Sequence, residues 1–137
     1  MSPPYSRDAD SAFSDSELQI VRDTWAVVAE DFAPWNVNVT TIDPGQDALR
    51  RWGNGDTQWG VRVVITKDWK GCSCGGFAYL GSFDDSTDEP AFVFNTSFTG
   101  VSEASSHEVG HTLLLNHDGL TTGTTYYAGH STSSTPG

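Results

Sequence analysis

The sequence predicts an α+β domain: an amphipathic helix, a series of short strands, and a second helix that carries a histidine motif. Three observations lead there. Ser14-Asp15-Ser16-Glu17 is a capping box, with Ser14 as N-cap and Glu17 reaching back, and Leu18, Val21, Trp25, Val28 and Phe32 follow at spacings of three and four. Between residues 36 and 95, short apolar or alternating runs are punctuated by Gly, Pro and Asp, as strands are. His107 and His111 then stand four residues apart in an apolar segment, the spacing of one helical face.

Taken in order, residues 1–13 are polar, contain Pro3-Pro4 and read as an arm. The first helix starts at Ser14 and ends near Ala33-Pro34, its apolar stripe being core packing. Asn36 to Ile42 alternates polar and apolar and reads as a strand ended by Asp43-Pro44-Gly45. Asp47 to Arg51 is a short helical turn, and Gly53 to Thr57 a loop. Val61 to Ile65 is a second strand, continuous enough in apolar residues to be central. Phe77-Ala78-Tyr79-Leu80 is a third, after a glycine-rich stretch, and Ala91 to Asn95 a fourth. The second helix starts near Ser102, with Glu103 favourably placed in its first turn. Residues 14–119 thus form the folded unit, and 120–137, rich in Thr, Ser, Gly and Tyr, form an irregular segment.

Composition narrows the function. The 137 residues amount to one domain, and 36% hydrophobic with 12% aromatic content suffices for a core. Seven basic against 18 acidic residues give a net charge of -11, which argues against a nucleic-acid partner. No run of 18 apolar residues is present, so no membrane-spanning helix is expected, and Met1 to Arg7 has no signal-peptide core. Asp84, Asp85, Asp88 and Glu89 offer the clustered carboxylates that Ca²⁺ takes, although a solvated loop is the commoner meaning of such a run. Cys72 and Cys74 are one residue apart; free thiols and a strained local disulfide are both open, and neither implies a function. Asn38-Val39-Thr40 and Asn95-Thr96-Ser97 fit the glycosylation pattern but fall on expected strands.

The chemistry lies at His107-Glu108-Val109-Gly110-His111. At about 100° per residue, His111 is only about 40° around from His107 and one turn above it, so two imidazoles can share one Zn²⁺. Glu108 is set aside from that face, as a base that acts on water without ligating metal would be. A catalytic zinc needs a third protein ligand, and His117 is the obvious one. On a continued helix it would point about 120° away from His111, so the helix must stop soon after Leu113 and the chain must reverse. Glycine normally makes such a turn.

His107, Glu108, His111 and His117, with Asp118 behind them, resemble the H-E-x-x-H-x-x-G-x-x-H signature of the metzincin metallopeptidases, the adamalysin-like and bacterial secreted branches in particular. Leu114 is the departure: it stands where the family has glycine, and a left-handed leucine costs roughly 1–2 kcal/mol. The resemblance implies a zinc endopeptidase acting on proteins or peptides, with His107, His111 and His117 as ligands, Glu108 as general base, and an extracellular location. It also implies a twisted mixed sheet with a backing helix, an active-site helix and an antiparallel edge strand. That edge strand would be Phe77, Ala78, Tyr79 and Leu80, binding an extended peptide by strand addition. Two family features are missing: a strand before the first helix, and a methionine beyond the third histidine. Tyr126-Tyr127-Ala128-Gly129-His130 is similar to the segment that precedes that methionine in bacterial relatives. The chain therefore looks like the middle of a larger peptidase domain, with the resemblance covering 14–130. The alternative is a truncated zinc-binding domain without proteolytic activity; a ligand- or carbohydrate-binding module with chance histidines has little support.

Overall fold

A computed structural model describes residues 12–67 and 74–117. Most of the expected arm, all of 120–137, and Asp118 and His130 lie outside the described residues.

The first helix, α1 (Asp15–Asp31), begins with both halves of the capping box. Glu17 is only 1% exposed because its carboxylate is occupied at the helix start, accepting from Ser14 N and Ser14 Oγ at 2.9 Å each. Val28 and Phe32 of the apolar stripe are buried. Trp25 is 45% exposed, and its indole Nε1–H donates to the Val39 carbonyl at 2.8 Å.

That bond bears on the first correction. Residues 36–42 form no ladder with any described strand. Val37 and Val39 do pack against Val28, Phe32 and Val109, so the alternation marks a packed face. The backbone, however, is anchored to Trp25, and Thr40 Oγ1 accepts from Ile42 N to turn the chain. A 3₁₀ turn follows at Gln46–Leu49, close to the expected place, with Leu49 buried.

The sheet has three strands: β1 (Val63–Ile65), β2 (Gly76–Phe77) and β3 (Ala91–Val93). Their order is β1-β3-β2, with β1 parallel and β2 antiparallel to β3, so the sheet is mixed. β1 is therefore at an edge and β3 is central, against the sequence expectation. Ala91 and Val93 are fully buried, whereas every residue of β1 stays half-buried. Apolar content alone did not rank the two strands; β3 lies between β1 and β2 and packs against α2. β2 is an antiparallel edge strand, but it starts at Gly76 and leaves the ladder after Phe77, so Ala78 to Leu80 are not paired.

The second helix, α2 (Phe98–Thr112), starts four residues before Ser102. Ser97 caps it by accepting from Gly100 N at 3.1 Å, and Asn95 Oδ1 accepts from Thr96 N and Ser97 N. The end of the fourth expected strand is thus a helix cap. Buried hydroxyls in α2 are satisfied locally: Ser105 donates to the Val101 carbonyl and Thr112 to the Val109 carbonyl, each at 2.7 Å. α2 packs on β3 on one side and on α1 on the other, where Ser106 Oγ donates to Asp31 Oδ2 at 2.6 Å. None of the described helices is long and apolar enough to cross a membrane.

Candidate metal centre

The last two turns of α2 place His107 and His111 one above the other, ring centroids 4.5 Å apart and rings nearly perpendicular. The helix then stops as the ligand argument requires. Thr112 is its last residue, Leu113 is the C-cap, and Leu114 has a φ of 70°, the one positive φ outside glycine among the described residues. Leu115 N donates to the Gly110 carbonyl at 3.0 Å and Leu114 N to the His111 carbonyl at 2.9 Å. This is the paired bonding of a Schellman motif, here closed by leucine in the usual glycine position. The Leu115 side chain folds back beside Gly110 at the helix end.

The reversal delivers His117. Its Nε2 lies 3.0 Å from His107 Nε2 and 3.0 Å from His111 Nε2, so the three nitrogens face one point. Among the described residues this is the only group of three or more His, Cys, Asp or Glu that could hold a metal ion. A tetrahedral Zn²⁺ with Zn–N of about 2.0–2.1 Å sets its nitrogens about 3.3–3.4 Å apart; the two separations from His117 are 3.0 Å, and the three donor atoms all lie within 4.8 Å of one another. The turn also orients a ring. His111 Nδ1 lies 2.7 Å from the Leu115 carbonyl, which accepts only if Nδ1 carries the proton. That leaves the Nε2 lone pair free for a metal, as outer partners of ligating histidines do.

Electrostatics favour the same state. Partial desolvation, then the neighbouring His111 and His117, hold His107 below the ordinary imidazole range and so keep it neutral. Glu108 is buried, and burial pushes its carboxyl up against the opposing pull of His111. A carboxylate raised toward the working pH suits a general base.

Of the four residues expected to bind substrate, Ala78 and Leu80 border a shallow, open depression together with His111, Asn116 and His117. Phe77 is opposite Phe92 in the sheet, and its ring meets the edge of Tyr79 at 5.0 Å. Gly81 N donates to the His111 carbonyl at 2.9 Å, pinning this segment to the end of α2. Asn116 and Gly76, which lies against Glu108, were not singled out by the sequence; no spacing pattern marks either. In the acidic loop Glu89 and Asp85 share a side-chain hydrogen bond, but no three of its carboxylates meet. Asp84 pairs with Arg51 at 3.0 Å and Asp88 with Arg62, so two of its four carboxylates are turned to arginines and the calcium expectation finds no support. Cys74 is disulfide-bonded.

No protein-family model matches this chain, and neither do any curated protein or solved structure.

Proposed function

We propose that this chain is a zinc-dependent metalloendopeptidase in which His107, His111 and His117 hold the ion and Glu108 is the general base. The convergence of the three Nε2 atoms across a helix end, made by a leucine in a left-handed turn, carries this reading. Imidazoles one helical turn and one chain reversal apart are a zinc donor set, and the metzincin-like spacing of the sequence points the same way. When bound, zinc lowers the pKa of water and polarises a carbonyl. Glu108 then takes the proton of the attacking water and passes it to the leaving amine. Ala78 and Leu80 border the site, where a peptide substrate would lie alongside the segment that follows the edge strand.

The test is hydrolysis of an unfolded protein such as casein, with and without chelator, beside zinc analysis of the wild type and Glu108→Ala. We expect one zinc per chain in both, turnover only in the wild type, and a loss of at least about 10²-fold in the variant. Zinc without turnover in the wild type would leave the inactive zinc-binding domain as the reading. Joint loss of zinc and turnover in Glu108→Ala would make Glu108 a ligand instead of the base.

A further inference from the structure

Glu108 does not lie in open space; its side chain rests on the backbone of Gly76. A Cβ at position 76 would fall 2.4 Å from Glu108 Oε1, 2.6 Å from Cγ and 2.7 Å from Cδ. All three are closer than packed carbon and oxygen atoms approach. Glycine at 76 is not there for its backbone freedom. Gly76 is absent from the positive-φ positions and sits in regular register opposite Val93. Inside a strand glycine is a cost, and one accepted reason for it is the close approach of another group. Its neighbour Gly75 meets nothing within 4 Å, so crowding is specific to position 76.

The two partners are held independently. Gly76 is fixed by pairing with β3, and Glu108 by the last two turns of α2, a helix that packs on that strand. With both backbones set, a side chain at 76 can be accommodated only by moving the Glu108 carboxylate out of its buried place.

We propose that Gly76 is a positioning residue: by carrying no Cβ it leaves the slot on the edge strand in which the Glu108 carboxylate lies. The inference rests on the peptidase reading for its functional meaning, and on packing alone for the contact.

Two measurements test it. The first is a thermal unfolding cycle of wild type, Gly76→Ala, Glu108→Ala and the double variant. Overpacking should lower the melting temperature of Gly76→Ala by about 5 °C. In the Glu108→Ala background the same methyl fills vacated space, and the loss should disappear. An equal loss in both backgrounds overturns the contact. The second is casein hydrolysis with zinc titration. Gly76→Ala should lower kcat by roughly tenfold to a hundredfold, as small misplacements of a catalytic group do, with KM and zinc affinity unchanged. Gly75→Ala should change none of these. Unchanged kcat in Gly76→Ala, given an active wild type, overturns the positioning role. An inactive wild type overturns the peptidase reading, and the unfolding cycle then decides alone whether Gly76 sets the carboxylate.

Discussion

Replacing Leu114 by glycine and, in parallel, by alanine tests the turn that brings His117 to the other histidines. Leu114 has a φ of 70°, a region that costs an L-residue roughly 1–2 kcal/mol. Its side chain is 64% exposed, so either replacement forfeits only modest contact, chiefly with the neighbourhood of Gly81. That loss is common to both variants and cancels when they are compared. Glycine relieves the strain that alanine keeps, but it also gives about 0.4–1 kcal/mol of conformational freedom back to the unfolded chain. The glycine variant should therefore be the more stable of the two by about 0.5–1 kcal/mol. Were Leu114 in a helix that ran on, the sign would reverse, because alanine is favoured over glycine there by about 0.8–1.0 kcal/mol. Urea unfolding of the two metal-free proteins reads the difference directly from their midpoints, provided their slopes agree. Zinc affinity of Leu114→Gly should at least equal that of the wild type. An alanine variant more stable than the glycine variant would refute the left-handed turn, and the placement of His117 with it.

Two further outcomes follow from the geometry. His117→Ala should weaken zinc by more than the roughly 10–100-fold that losing an outer-shell partner costs, since it removes one of three donors; a titration showing unchanged affinity would take His117 out of the site. Asp56 accepts from Trp52 N at 3.0 Å and Gln58 N at 3.1 Å, and these donors, that of Trp52 foremost, hold its carboxyl below the ordinary 3.8. A folded-state pKa below the unfolded one gives stability that is present above pH 3.8 and lost as pH falls through the folded value. The melting temperatures of wild type and Asp56→Ala should thus differ most near neutrality and converge in acid, and a gap that stays constant down to pH 2 would contradict this.

The helices were legible because their signals are local. A capping box and a stripe at helical spacing need no knowledge of the rest of the chain, and α1 starts where Ser14 and Glu17 place it. The sheet was less so, because strand identity depends on a partner. Asn36 to Ile42 has the right alternation, and Val37 and Val39 do face the core, yet the backbone bonds go to a tryptophan and a threonine. The ranking of β1 above β3 failed for a related reason. Burial at the centre is decided by what covers a strand, and α2 lies over Ala91 and Val93. The start of α2 was read late because Asn95, Thr96 and Ser97 suit the end of a strand as well as a cap.

At the histidine cluster the sequence indicated which residues should meet and what the chain must do to let them. It could not say how a leucine tolerates the turn, and the hydrogen bonds around it supply the reason. The reversal makes Leu115 N to the Gly110 carbonyl and Leu114 N to the His111 carbonyl, and Gly81 N from another segment reaches that second carbonyl as well. At a net worth of about 0.5–1.5 kcal/mol each, such bonds match a strain of roughly 1–2 kcal/mol. One of the three comes from a residue 33 positions away, outside any window in which a helix end is read. The same reversal also presents the Leu115 carbonyl to His111 Nδ1. A helix that ran on through Leu114 would lose that acceptor and the third imidazole together, so the backbone conformation of one residue controls both the orientation of His111 and the arrival of His117.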